Sequence, residues 1–138
     1  MKQRDGILVV DDDVDARETL TTALRQSGYA VEAARDGFEA LERLARSTPD
    51  LILTDLKMPG MNGLELIERI HRMSPQAPII LVTGADTLDL CTGAERYGAV
   101  SCLLKPVNLD ELLWAIDCAL VCTRSAPAAS GPVPAPVA

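Results

Sequence analysis

Five short apolar runs, each followed by a stretch of helical periodicity, constrain this chain more than any other feature. The runs lie near residues 7–10, 30–34, 51–54, 78–82 and 101–104, and the helical patterns near 14–27, 37–47, 63–73, 86–97 and 109–123. This alternation is the mark of repeated βα units and a parallel sheet. The third and fourth runs are apolar throughout, as strands covered on both faces must be. The second, Ala30-Val31-Glu32-Ala33-Ala34, carries a charge and belongs at a sheet edge. The expected architecture is α/β: a five-stranded parallel sheet, doubly wound, with helices on both faces.

Punctuation supports these boundaries. Three helix starts pair a short polar residue with Glu three positions later: Asp36/Glu39, Asn62/Glu65 and Asn108/Glu111. Gly28 and Gly98 suit helix ends, and Pro49, Pro75 and Pro78 fall in connections. With 138 residues, 48% of them hydrophobic, the chain can bury one real core, built mostly from aliphatic side chains because only 3% are aromatic. From Ser125 to Ala138 only Ala, Pro, Ser, Gly and Val occur, without charge or periodicity. The expected organisation is a folded domain over 1–123 and a disordered tail or linker over 124–138.

Twenty acidic against thirteen basic residues leave a net charge of −7, which disfavours direct binding to nucleic acid and favours a divalent cation at paired acids. Cys91, Cys102, Cys118 and Cys122 lack a CxxC spacing and only one histidine is present. Zinc is therefore not expected, and free, partly buried thiols are. No signal-like or membrane-spanning stretch is evident, so the expected location is the cytoplasm.

In a parallel sheet the C-terminal strand ends share one rim, where ligands of open α/β sheets bind. The residues that reach it are Asp11 and Asp12, then Asp55, Thr83 and Lys105-Pro106. Three clustered carboxylates repel one another unless a cation intervenes. A hard ion that prefers oxygen, Mg²⁺ first and Mn²⁺ as an alternative, suits them. Lysine and threonine can engage added phosphoryl oxygens, and the set matches what phosphoryl transfer needs. Taken singly, each has a bland role: an Asp cap (most plausibly Asp13), a strand-end threonine, a solvated lysine. Jointly, at the ends of separate strands, they point to a site.

The segments Val9-Val10-Asp11-Asp12, Leu53-Thr54-Asp55-Leu56-Lys57-Met58-Pro59-Gly60-Met61-Asn62-Gly63, Val82-Thr83-Gly84 and Lys105-Pro106 together resemble the receiver domain of two-component response regulators, over about residues 5–123. The resemblance implies a flavodoxin-like fold and a phosphorylation-controlled switch. It makes Asp55 the phosphoacceptor, supplied by a histidine kinase or histidine phosphotransfer protein. Asp12 would ligate Mg²⁺, with Asp11 directly or through water, Asp55, and the carbonyl of Lys57. Thr83 and Lys105 would engage the phosphoryl group, and the Lys105–Pro106 bond would be cis. Such a protein catalyses only its own phosphorylation and dephosphorylation, and acts on a downstream effector or fused output domain.

One position departs from the family. Where Tyr or Phe is frequent, three residues before the lysine, this chain has Cys102. That sets the aromatic-toggle form of the switch in question, while a threonine shift and a movement of the following loop remain. Gly93, inside the expected fourth helix, suits either a repositionable element or close packing. In the last helix Leu109, Leu112, Leu113, Ile116 and Leu120 form the expected core stripe. Trp114, Cys118, Val121 and Cys122 lie off it, on a face that relatives use for dimerisation or effector contact, which makes a dimer through the last two helices a candidate. Two rival readings are a degenerate receiver acting as a constitutive interaction module, and an aspartyl phosphatase. Against the latter, Lys57 stands where such enzymes carry a second acid.

Overall fold

The computed structural model describes residues 6–84 and 99–125, without the side chains of Val100 and 123–125. Strands β1 (Gly6–Val10), β2 (Ala30–Ala34), β3 (Leu51–Asp55), β4 (Ile79–Thr83) and β5 (Ala99–Leu104) form one sheet in the order β2-β1-β3-β4-β5. All four pairings are parallel. Helices α1 (Val14–Gln26), α2 (Gly37–Arg46), α3 (Gly63–Met73) and α4 (Leu109–Ser125) cover it. The expected fold class is the observed one, and the charged strand β2 is indeed at an edge. The helix expected over 86–97, with Gly93 and Gly98, lies outside the described residues, as does the tail from 126 onward. Among the described residues no helix is long and apolar enough to cross a membrane.

Successive residues of a strand point to opposite faces, and two cores follow. Leu8, Val10, Ile52, Ile79 and Leu81 pack with α2 and α3 through Leu44, Leu66, Ile67 and Ile70. Ile7, Val9, Leu51, Leu53, Ile80 and Val82 pack with α1 and α4 through Leu24, Leu112, Ile116 and Leu120. The apolar-throughout reading of β3 and β4 is thereby explained, since both faces are covered.

Local signals in the sequence close the helices as expected. Asp13 caps α1, its carboxylate accepting from the Asp15 N–H at 3.0 Å. Asp36, Asn62 and Asn108 accept from the N–H groups of Glu39, Glu65 and Glu111. At the end of α1, Gly28 has φ +103°, and the N–H groups of Tyr29 and Gly28 donate to the carbonyls of Leu24 and Arg25. That is a Schellman closure, which needs the left-handed conformation glycine adopts freely. Asn62→Ala removes the α3 cap and is expected to lower unfolding stability by about 1 kcal/mol, read as a lower urea midpoint at unchanged slope.

Two expectations are corrected. Leu109 is not in the core: it is 41% exposed, because α4 meets the sheet only from Leu112 onward. The buried stripe is Leu112, Ala115, Ile116, Ala119 and Leu120, where two alanines fill positions between larger residues. Nor are all the thiols free. Cys118 and Cys122 are, but Cys102 is disulfide-bonded. The four cysteines follow no spacing pattern that marks a disulfide, so the sequence could not anticipate this bond.

Candidate functional site

Strand register, more than any single residue, assembles the rim. Val10 pairs with Thr54, so the next residues, Asp11 and Asp55, emerge side by side from adjacent strands. Asp55 pairs with Val82, and Thr83 with Leu104, which puts Thr83 and Lys105 at the same end of the sheet. The Lys105 N–H donates to the Thr83 carbonyl at 2.7 Å, and the Lys105–Pro106 bond is cis.

The acids sit in unlike surroundings. Asp11 is 2% exposed and Asp55 8%, whereas Asp12 faces solvent. One oxygen from each of the three can lie within 4.8 Å of the others, the arrangement of a metal-holding group. The donor set fits a hard divalent ion: every ligand atom is a carboxylate oxygen, and the exposed side at Asp12 leaves room for water.

Lys105 Nζ lies 3.0 Å from Asp55 Oδ2 and 3.4 Å from Asp11 Oδ2. The second oxygen of Asp55 accepts from the Leu56 N–H at 2.8 Å. Asp11 Oδ1 accepts from the Asp13 N–H at 2.9 Å, and the Asp11 carbonyl from Arg17 Nη1 at 2.7 Å. Behind Asp55 the turn is tight. The Gly63 N–H donates to the Leu56 carbonyl at 2.7 Å, bringing the start of α3 against the end of β3.

These contacts tune protonation. Burial raises the pKa of Asp11, and the charge of Asp55 adds to this, outweighing the Asp13 N–H and Lys105, which oppose it. For Lys105 burial disfavours the charge, but the hydrogen bond to Asp55 and the two carboxylate charges prevail and raise its pKa. The signs differ in consequence. Lys105 contributes stability that is complete at neutral pH and is lost as pH rises through its raised pKa, above 10.5. Asp11 binds its proton more tightly in the folded chain than in the unfolded one, so its ionisation costs stability as pH climbs from 3.8 through the raised pKa. Asp11→Asn is therefore expected to raise the melting temperature of the metal-free protein at neutral pH. That gain should shrink as pH falls towards 3.8, and calorimetry across pH checks it.

Of the residues singled out in the sequence, Asp11, Asp12, Asp55 and Lys105 come together, and Thr83 stands buried at the neighbouring strand end. Lys57 lies exposed in the turn after Asp55. Cys102 is not at the rim. It pairs with Leu81, deeper in the sheet, and packs half-buried against the α2/α3 core. Sequence reasoning missed Arg17 and the close approach of Gly63. The only trace of the former was an arginine one turn into α1. A groove of about 240 Å³ opens beside Gly6, Ala30, Arg43 and Asp50, at the opposite end of the strands, and contains none of the rim residues. The rim itself suits an ion and a group delivered by another molecule.

Comparison with known proteins identifies the family and the fold. The family model described as the response regulator receiver domain matches residues 7–117. The chain is 39% identical over 118 residues to the DNA-binding transcriptional regulator NtrC of Escherichia coli (strain K12), an alignment covering 86% of this chain and 25% of that protein. It is 40% identical over 118 residues to the response regulator MprA of Mycobacterium leprae (strain TN), with 86% and 52% covered. A solved CheY-like receiver domain protein from Methanospirillum hungatei JF-1 superposes with a TM-score of 0.84 at 34% identity, over 88% of this chain and 98% of that one. The chain thus spans a quarter to about half of the curated relatives it matches. Its fold, its rim and these likenesses place it in the response regulator receiver domain family, the phosphorylation-controlled switches of two-component signalling.

Proposed function

We propose that Asp55 is the phosphoacceptor and that Asp11, Asp12, Asp55 and the Lys57 carbonyl hold Mg²⁺. The observation that carries this reading is Lys105 Nζ, poised between Asp55 Oδ2 at 3.0 Å and Asp11 Oδ2 at 3.4 Å. It is a fixed cation beside the one acid that ends a fully buried strand. When bound, Mg²⁺ supplies charge neutralisation among the three acids and on the incoming phosphoryl oxygens.

The chain's own residues do the rest. The donor is a phosphohistidine of a histidine kinase or histidine phosphotransfer protein. A carboxylate oxygen of Asp55 bonds to phosphorus as the N–P bond breaks, and the bonding pair leaves with the imidazole nitrogen. The product is an acyl phosphate on Asp55. Lys105, part-buried and already aimed at this carboxylate, pairs with the phosphoryl oxygens with little reorganisation, the property that makes preset charges effective. The Leu56 N–H holds the other Asp55 oxygen and so orients the nucleophile. Thr83 answers the new oxygens with its hydroxyl and passes the change to the residues after β4. With Cys102 tied in a disulfide and packed away from the rim, the response runs through Thr83 rather than an aromatic toggle.

The folded unit works in the cytoplasm and hands its signal to an effector or output domain, with the Ala/Pro-rich segment after α4 as a tail or linker. Trp114, 70% exposed on α4 beside exposed Val121, offers an anchor for that partner or for a second copy. The test uses acetyl phosphate with Mg²⁺. Intact mass is expected to show one phosphoryl adduct that chelation of the metal prevents. A chain that takes up no phosphoryl group under these conditions would be a constitutive module instead.

A further inference from the structure

The turn that carries Asp11 and Asp12 is held from an unexpected direction. The Asp11 N–H donates to the Ala34 carbonyl at 3.1 Å, extending β1 along β2 by one residue. Its carbonyl accepts from the guanidinium of Arg17 at 2.7 Å. Asp13 caps α1, and its carbonyl accepts the Arg17 backbone N–H at 2.9 Å. Arg17 therefore bonds to both neighbours of Asp12, through its side chain on one side and its backbone on the other. Asp12 is solvent-exposed and takes its place from those two neighbours.

We propose that Arg17 is a positioning residue for the cation site. Its guanidinium fixes the Asp11 carbonyl, hence the path of the 11–13 turn and the direction in which the Asp12 carboxylate projects. This rests on the reading of Asp11, Asp12 and Asp55 as a Mg²⁺ site. The physical need is plain. Three carboxylates within 4.8 Å of one another repel, and a turn free to open would relieve that repulsion by letting Asp12 swing away. A charge-assisted bond to a main-chain carbonyl resists this without occupying a carboxylate oxygen of the three acids.

Charge and positioning make opposite predictions, which renders the proposal testable. A permanent positive charge beside a cation site can only weaken cation binding by Coulomb repulsion. If Arg17 acted through charge alone, R17Q would bind Mg²⁺ more tightly. As a positioning residue, its loss is expected to weaken Mg²⁺ binding by roughly 10-fold, the lower end of what supporting contacts around metal ligands contribute.

The experiment is calorimetric titration of MgCl₂ into the full chain without phosphodonor, for the wild type, R17Q, R17K and D12N. Amide hydrogen exchange at Asp12 and Asp13 is measured in the metal-free state. R17Q is expected to bind Mg²⁺ more weakly and to exchange faster at these two amides while keeping its far-UV spectrum, and R17K to recover part of the affinity. Equal or tighter binding by R17Q overturns the proposal. If R17Q does not fold, R17K decides alone: severalfold weaker binding supports it, wild-type affinity overturns it. A wild type without saturable Mg²⁺ binding, or a D12N that binds as tightly as wild type, overturns the underlying cation-site reading and the proposal with it.

Discussion

Asp55→Asn is expected to take up no phosphoryl group from acetyl phosphate under conditions that fully modify the wild type. The substitution is nearly isosteric. Its carbonyl oxygen can still accept from the Leu56 N–H, and Lys105 keeps Asp11 as a partner at 3.4 Å, so the fold survives. What disappears is the anionic nucleophile. A neutral amide oxygen attacks phosphorus too poorly to compete with the donor's hydrolysis, and loss of a nucleophile of this kind removes several orders of magnitude in rate. Intact mass provides the reading. An adduct that persists in Asp55→Asn would move the acceptor to another acid of the cluster. Circular dichroism matching the wild type separates lost chemistry from lost structure.

Gly63→Ala is expected to be the most damaging methyl addition in the described structure. A Cβ on Gly63 would fall on the carbonyl oxygen of Asp55 and lie 2.7 Å from Leu56 Cα. Both are backbone atoms of the turn that presents Asp55, so no side-chain rotation can make room. Either α3 retreats from the sheet, breaking the Gly63–Leu56 hydrogen bond of 2.7 Å, or the Asp55 turn is pushed out of register. Overpacking of this sort is expected to cost about 3 kcal/mol, a fall of roughly 10 °C in melting temperature for a domain of this size. Because the strain falls on Asp55 itself, the phosphorylation rate of the folded fraction should fall as well. Gly37→Ala provides the contrast. There the added methyl meets mainly the side chain of Met61, Sδ at 2.7 Å, and a thioether can turn away. A melting temperature for Gly63→Ala no lower than for Gly37→Ala would refute the close-approach argument.

Both expectations depend on features of unequal visibility in the sequence. Asp55 was legible because a carboxylate ends an apolar run, and the pattern of burial needs only nearby residues. The same holds for the caps at Asp13, Asp36, Asn62 and Asn108 and the closure at Gly28, since each is completed within a few residues. The reading of α4 erred at Leu109 because periodicity reports which side of a helix is apolar, and not where along its length contact with the sheet begins. The reading of Cys102 as a free thiol erred for a related reason: the spacing of the four cysteines carries no signal of which of them bond.

What the chain determined by itself, over the described residues, is the alternation of strand and helix, the rim to which Asp11, Asp12, Asp55, Thr83 and Lys105 are delivered, and the boundaries of those elements to within a few residues. These follow from side-chain periodicity and backbone capping, which are local. Only the tertiary structure decided that β1 and β3 are neighbours in register, so that Asp11 and Asp55 share one lysine. Only there does Arg17 reach back to the Asp11 carbonyl, and only there does Gly63 press against Asp55. Distances between residues on separate elements are set by how two cores pack on opposite faces of one sheet, and no local stretch of sequence carries that information.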